Sequence, residues 1–105
     1  MPKIVNISFL KVAQLKLDEA FEYYESTQEG LGFRFQAEVE NAISRIERFP
    51  KMYQEIGRYS RRCLAHKFPY GVIYQVRKKP NQILLVAIAH LHRKPDYWYS
   101  RERQT

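Results

Sequence analysis

Two histidines, His90 and His92, stand two residues apart at the end of an apolar run, and Arg93 follows directly. Imidazole titrates near neutrality, so a histidine can take or give a proton at working pH. A guanidinium can hold a phosphate or carboxylate through paired hydrogen bonds. Tyr97, Trp98, Tyr99 and Arg101 come next, close to Lys94 and Arg103. Aromatic rings interleaved with cations can stack bases while the cations hold the backbone. Earlier in the chain Arg61, Arg62, His66 and Lys67 add further positive groups that could reach the same groove. The candidates for proton transfer and anion stabilisation are therefore His90, His92, Arg93 and Tyr97, and the candidates for target binding are Arg61, Arg62, Lys67, Lys94 and Arg101.

Each of these residues also has a plainer use. His90 ends a buried strand and can simply hydrogen-bond to the backbone of the tail. His92 can share a face with it only if the strand continues. Trp98 can pin the tail onto a sheet with its indole NH satisfied. Arg93, just beyond a buried strand, is placed for a phosphate or a carboxylate. A His-x-His pair joined by His66 resembles part of a zinc site. Zinc needs three or four arranged ligands, and no cysteine or carboxylate pattern supplies them, so no metal and no other cofactor is expected. Cys63, with no motif around it, reads as packing. Tyr23 and Tyr24 read as core or interface, and Lys78 and Lys79 as a solvated turn.

Positive charge is concentrated in the half of the chain that carries these groups. Residues 1–50 hold six Lys or Arg against eight Asp or Glu, net −2, whereas residues 51–105 hold twelve against three, net +9. That asymmetry predicts a surface that attracts polyanions or acidic proteins. The 105 residues suit one domain, 1–105, and the 45% hydrophobic and 28% charged content is that of a globular chain. The single cysteine excludes a disulfide framework. The longest apolar run, 83–89, is far below the roughly 20 residues that span a bilayer, so no membrane partner is expected. The first residues lack the profile of a secretory signal, which predicts a cytoplasmic protein.

The elements that must position these groups follow from periodicity. Residues 3–9 alternate with period two and predict a short edge or near-edge strand. Ala13, Leu17, Ala20, Phe21 and Tyr24 lie on one face of a helix over about 11–28, stopped by Gly30. Phe35, Val39, Ala42, Ile43, Ile46 and Phe49 mark a second helix, ended by Pro50. So short a link predicts an antiparallel helix hairpin. Residues 61–68, 72–77 and 82–90 predict three strands, the last apolar on both faces and therefore interior. The fold class is α+β: an N-terminal strand, two helices, then a mostly antiparallel sheet of three or more strands and a short polar-aromatic tail.

This order of elements, at this length, resembles the RelE/ParE superfamily of bacterial toxins from type II toxin–antitoxin pairs. The segment 17–25 (LDEAFEYYE) is similar to the family's first helix, and Gly30-Leu31-Gly32 with Phe35 and Val39 to the start of its second. Arg61-Arg62-Cys63-Leu64 and Phe68-Pro69-Tyr70-Gly71-Val72-Ile73-Tyr74 resemble its middle strands. Ala87-Ile88-Ala89-His90 with Arg93-Lys94-Pro95-Asp96-Tyr97-Trp98 resembles its closing strand and tail.

The resemblance implies a growth-inhibiting toxin held inactive by a cognate acidic antitoxin. RelE-like members cut messenger RNA on the ribosome, whereas ParE-like members inhibit DNA gyrase, and both targets stay open at this point. Metal-free RNA cleavage needs a base for the 2′-hydroxyl, an acid for the departing 5′-oxygen and cations on the phosphate. Against the RelE-like pattern Arg93 matches the arginine beyond the last strand, Tyr97 or Tyr99 the tail tyrosine, and Lys67 more loosely a strand lysine. Gly71 stands where RelE-like nucleases tend to carry an arginine. The same basic groove would also suit a non-catalytic binding module or a degenerate toxin that keeps only antitoxin binding.

Overall fold

A computed structural model describes residues 6–77 and 82–92. The chain opens with strand β1 (Asn6–Phe9), which leads into helix α1 (Lys11–Thr27). Gly30 ends the link with a left-handed backbone, φ +86°, a conformation that glycine adopts without a Cβ penalty. Helix α2 (Leu31–Arg48) starts there and packs antiparallel to α1. The carboxylate of Glu25 fastens the turn by accepting from the Gly30 and Gly32 N–H groups, each at 2.9 Å. It thus pairs donors that would otherwise be orphaned at the start of α2.

Four more strands follow: β2 (Gln54–Ile56), β3 (Ser60–Leu64), β4 (Tyr70–Arg77) and β5 (Gln82–His90). The sheet order is β1-β5-β4-β3-β2, with β1 parallel to β5 and the other pairs antiparallel. The α+β class, the helix hairpin and the edge position of β1 are as the sequence predicts. Strand β5 is interior and buried on both faces, as its uninterrupted apolar run requires.

One face of the sheet carries the helices. Phe35, Val39, Ala42 and Ile46 from α2 and Ala20 from α1 are buried against Cys63, Val72, Tyr74, Ile83, Leu85 and Ile88. A second buried cluster on the opposite face holds Ile73, Leu84, Val86, Ala87 and Ala89, with Leu10 and Ile56 against it.

Three details depart from the periodicity. Phe49, assigned to the buried stripe of the second helix, is half-exposed. The helix ends at Arg48, and Phe49 turns out at φ −138° with the Arg48 guanidinium 5.6 Å from its ring centroid. The strand predicted over 61–68 stops at Leu64. Lys67 takes a left-handed φ of 72°, and an Ala65 N–H to Tyr70 carbonyl bond of 2.9 Å closes the connection. Strand β2 was not expected; its three residues are held chiefly by pairing with β3.

Candidate functional site

The placement of His90 is decided by one extra residue in β5. Ile73 pairs with Ala87 and Tyr74 pairs with Leu85, so two residues of β4 run beside three of β5, with Val86 the extra one. At this bulge two successive side chains, Val86 and Ala87, join the cluster away from the helices. The alternation then resumes in the other phase, and Ile88 joins Ile83 and Leu85 on the helix side. His90 follows Ile88 by two residues and falls on that side, its ring 5.0 Å from that of Tyr70, edge to face.

The strand does not continue to His92. The chain turns after His90, and the His92 N–H donates to His90 Nδ1 at 3.1 Å, bringing the two rings to 5.4 Å. A second bond from the Leu91 N–H to the Pro69 carbonyl, 2.8 Å, ties this turn to the β3–β4 connection. His90 Nδ1 is thus an acceptor, which puts the ring proton of the neutral imidazole on Nε2.

Both histidines line a cleft of about 570 Å³ between α1 and the ends of β4 and β5. Lys16, Glu19, Tyr23 and Tyr24 contribute from α1, and Tyr70 and Ile88 from the strands. Lys16 Nζ lies 3.3 Å from the Glu19 carboxylate. Tyr24 and Tyr70 stand ring to ring at 6.2 Å. Burial, and then the neighbouring Tyr70, pushes the Tyr24 phenol above its ordinary value, so it remains a neutral hydrogen-bonding group. Sequence reasoning left Tyr23 and Tyr24 as core or interface and passed over Lys16 and Glu19. Their spacing (16, 19, 20, 23, 24) is one helix face, a signal that could have grouped them.

The predicted cations go elsewhere. Arg61 lies on the helix side near the β2 edge, donating to the Tyr53 carbonyl at 2.8 Å and the Glu55 carboxylate at 3.0 Å. Arg62, its neighbour in β3, projects from the opposite face beside Gly71. A Cβ on Gly71 would meet Arg62 Cγ and Cδ at 2.9 Å, so the arginine stem occupies the space that the glycine leaves. Its guanidinium donates to Gln54 Oε1 at 3.0 Å. Arg62 Nε and Ser60 Oγ, buried in the same strand, have no partner among the described residues. Lys67 stands at the exposed hairpin tip, 3.8 Å from Glu38 of α2.

The expectation of a single hollow therefore needs correcting for the described residues. His90 and His92 come together, but Arg61, Arg62 and Lys67 do not line their cleft, and the sheet separates Arg62 from His90. Arg93, Lys94, Tyr97 and Arg101 lie outside the described residues, as do Trp98, Tyr99, Arg103, Lys78 and Lys79. Among the described residues no three His, Cys, Asp or Glu side chains are grouped to hold a metal ion. None of the described helices is long and apolar enough to cross a membrane.

The sequence of residues 7–95 matches the model of a protein family described as the ParE toxin of the type II toxin–antitoxin system, parDE. The chain belongs to the ParE toxin family. That membership lies within the RelE/ParE superfamily, whose fold the structure shares. A chromosomal ParDE toxin–antitoxin system from P. aeruginosa contains a chain that superposes with a TM-score of 0.70 at 11% identity, over 84% of this ParE chain and 97% of that one. The isolated E. coli RelE toxin superposes with a TM-score of 0.61 at 10% identity, over 97% and 100% of the two chains. At such identities these likenesses speak for the fold alone. No curated protein matches the sequence of this ParE-family chain.

Proposed function

We propose that this ParE-family toxin arrests growth in the cytoplasm by binding DNA gyrase, not by cutting messenger RNA on the ribosome, and that a cognate acidic antitoxin neutralises it. One observation carries the choice of target: the sheet stands between the imidazoles and Arg62. A metal-free ribonuclease needs a base, an acid and a phosphate clamp around one scissile bond. His90 faces α1 and Arg62 faces away from it, so among the described residues these functions do not meet. Gly71 adds to this reading, because a missing phosphate-clamping cation removes about 2–4 kcal/mol of transition-state stabilisation, or two to three orders of magnitude in rate. The resemblance to ParE-like members, whose target is gyrase, agrees with it. Arg62 is then a target-binding residue, together with Arg93, Lys94 and Arg101 as assigned from the sequence, and His90 and His92 are not catalytic.

Induction of the chain alone should arrest growth, and co-expression of the neighbouring small open reading frame should restore it. The purified toxin should inhibit gyrase in a supercoiling assay, and primer extension on translated messages should show no new cleavage sites. Cleavage of ribosome-bound message with gyrase unaffected would overturn the choice of target. Absence of arrest would replace the toxin by a non-catalytic binding module.

A further inference from the structure

We infer that the β2 edge of the sheet binds a single strand of nucleic acid, through two exposed rings that stack on bases and the cations beside them. This goes beyond the reading of the chain as a gyrase-directed toxin, and it uses neither the cleft nor Arg62.

Charge is left over on this edge. Residues 45–62 carry six Lys or Arg against two Glu. Three of the six are committed within the fold: Arg45 donates to the Leu64 carbonyl, Arg61 to the Tyr53 carbonyl and Glu55, and Arg62 to Gln54. Arg48, Lys51 and Arg58 form no ion pair among the described residues, and Glu55 is already taken by Arg61. The surplus of positive charge favours a polyanion.

The rings select which polyanion. Phe49, Met52 and Tyr59 are 51, 64 and 59% exposed, so none of them serves the core. Each ring has its own cation: the Arg48 guanidinium lies 5.6 Å from the Phe49 centroid, and that of Arg58 lies 5.9 Å from the Tyr59 centroid. A ring so exposed beside a guanidinium offers a base a stacking surface and the next phosphate a partner. Phe49 stands where the chain leaves α2, and Tyr59 in the β2–β3 turn, which Gly57 enters with a left-handed φ of +66°. Between the two pairs run Lys51, Met52 and the three residues of β2, which rise about 10 Å. Bases stacked within a duplex show no face to such rings, whereas those of an unpaired strand do. Cations flanking a short edge strand also guard it against pairing with another sheet, but that duty leaves the exposed rings unexplained. No histidine stands among residues 45–62, so this edge offers no imidazole for acid–base chemistry, and the strand is held rather than cut.

Fluorescence polarisation of the full chain with a labelled oligothymidylate of about 12 nucleotides, and with a duplex of the same length, tests the assignment. The single strand should bind at least threefold tighter than the duplex. Phe49→Ala and Tyr59→Ala should each weaken strand binding at least threefold. Arg48→Gln and Arg58→Gln should each reduce the slope of log K against log salt by about 0.7. All four side chains are at the surface, so thermal melting of the variants should match the parent. Tyr23→Ala removes an exposed ring from α1 and should leave the affinity unchanged; a loss equal to that of Phe49→Ala would spread the binding over the whole surface and overturn the inference. It is equally overturned by no measurable binding, by a duplex bound as tightly as the strand, or by both Phe49→Ala and Tyr59→Ala staying within threefold of the parent.

Discussion

Tyr74 shows how a single buried residue sets a measurable stability. Its hydroxyl donates to the Pro50 carbonyl at 2.5 Å, joining β4 to the segment after α2. Tyr74→Phe leaves that carbonyl without its partner and should cost about 1–2 kcal/mol in urea unfolding at neutral pH. Burial also pushes the phenol well above its ordinary value. The folded chain therefore keeps a proton that the unfolded chain gives up. The contribution is whole below the ordinary tyrosine value of about 10 and is lost as pH rises beyond it. Stability should thus fall as pH rises above about 10, and Tyr74→Phe should flatten that fall, leaving the parts due to Tyr24 and Cys63. Cys63 is also buried, and burial raises its thiol above the ordinary value. Alkylation by iodoacetamide at pH 8 should be slow in the native protein and accelerate as urea unfolds it. A fast native reaction would show that the strand is not packed as described.

At the scale of elements, two glycines mark close approaches that no periodicity reveals. A Cβ on Gly32 would stand 2.7 Å from the Phe21 carbonyl oxygen, so α1 and α2 touch backbone to side-chain position there. Gly32→Ala should destabilise the fold by about 1–3 kcal/mol despite alanine's better helix propensity, because the helices must separate. Thermal melting checks it. At Gly71 the obstacle is the Arg62 stem, so Gly71→Ala should lose stability in the parent and much less in an Arg62→Ala background. A double-mutant cycle in urea reads the coupling directly, and additive effects would contradict the contact. The helix stripes and the strand alternation, by contrast, were legible: Phe35, Val39, Ala42 and Ile46 are buried as their spacing requires. Phe49 was misread because its spacing fits the stripe while the chain has already left the helix.

At the scale of the whole molecule, the sheet works as a partition. Arg62 lies on one side, and His90 lies on the other with the aromatic cleft. Groups that act on one reacting bond give strongly non-additive losses, whereas groups on separate surfaces act independently. Arg62→Ala should raise the toxin dose needed for arrest and His90→Ala should leave it nearly unchanged. The double variant should show the product of the two effects in a growth-inhibition titration. A large loss for His90→Ala alone that the double variant does not deepen would mean that both serve one centre and would reinstate the nuclease reading. The charge asymmetry of −2 against +9 is a property of the sequence, yet it does not say where the cations point. Neighbours in a strand face opposite ways, and Arg61 and Arg62 part on that ground alone.

The sequence by itself determined the two helices, every strand but β2, their order, the α+β class and the RelE/ParE resemblance, because apolar spacing and turn residues act over a few positions. It also marked His90 and His92 as a pair. Only the tertiary structure decided which side of the sheet they serve. Alternation carried through the run 82–90 would have set His90 beside Leu84 and Val86. The bulge at Val86, set by how β5 must pair with β4, shifts the phase by one residue and turns His90 toward α1. The cleft is likewise a product of assembly, since Tyr24 and Tyr70 are 46 positions apart in the chain and meet only when helix and strand pack on one core.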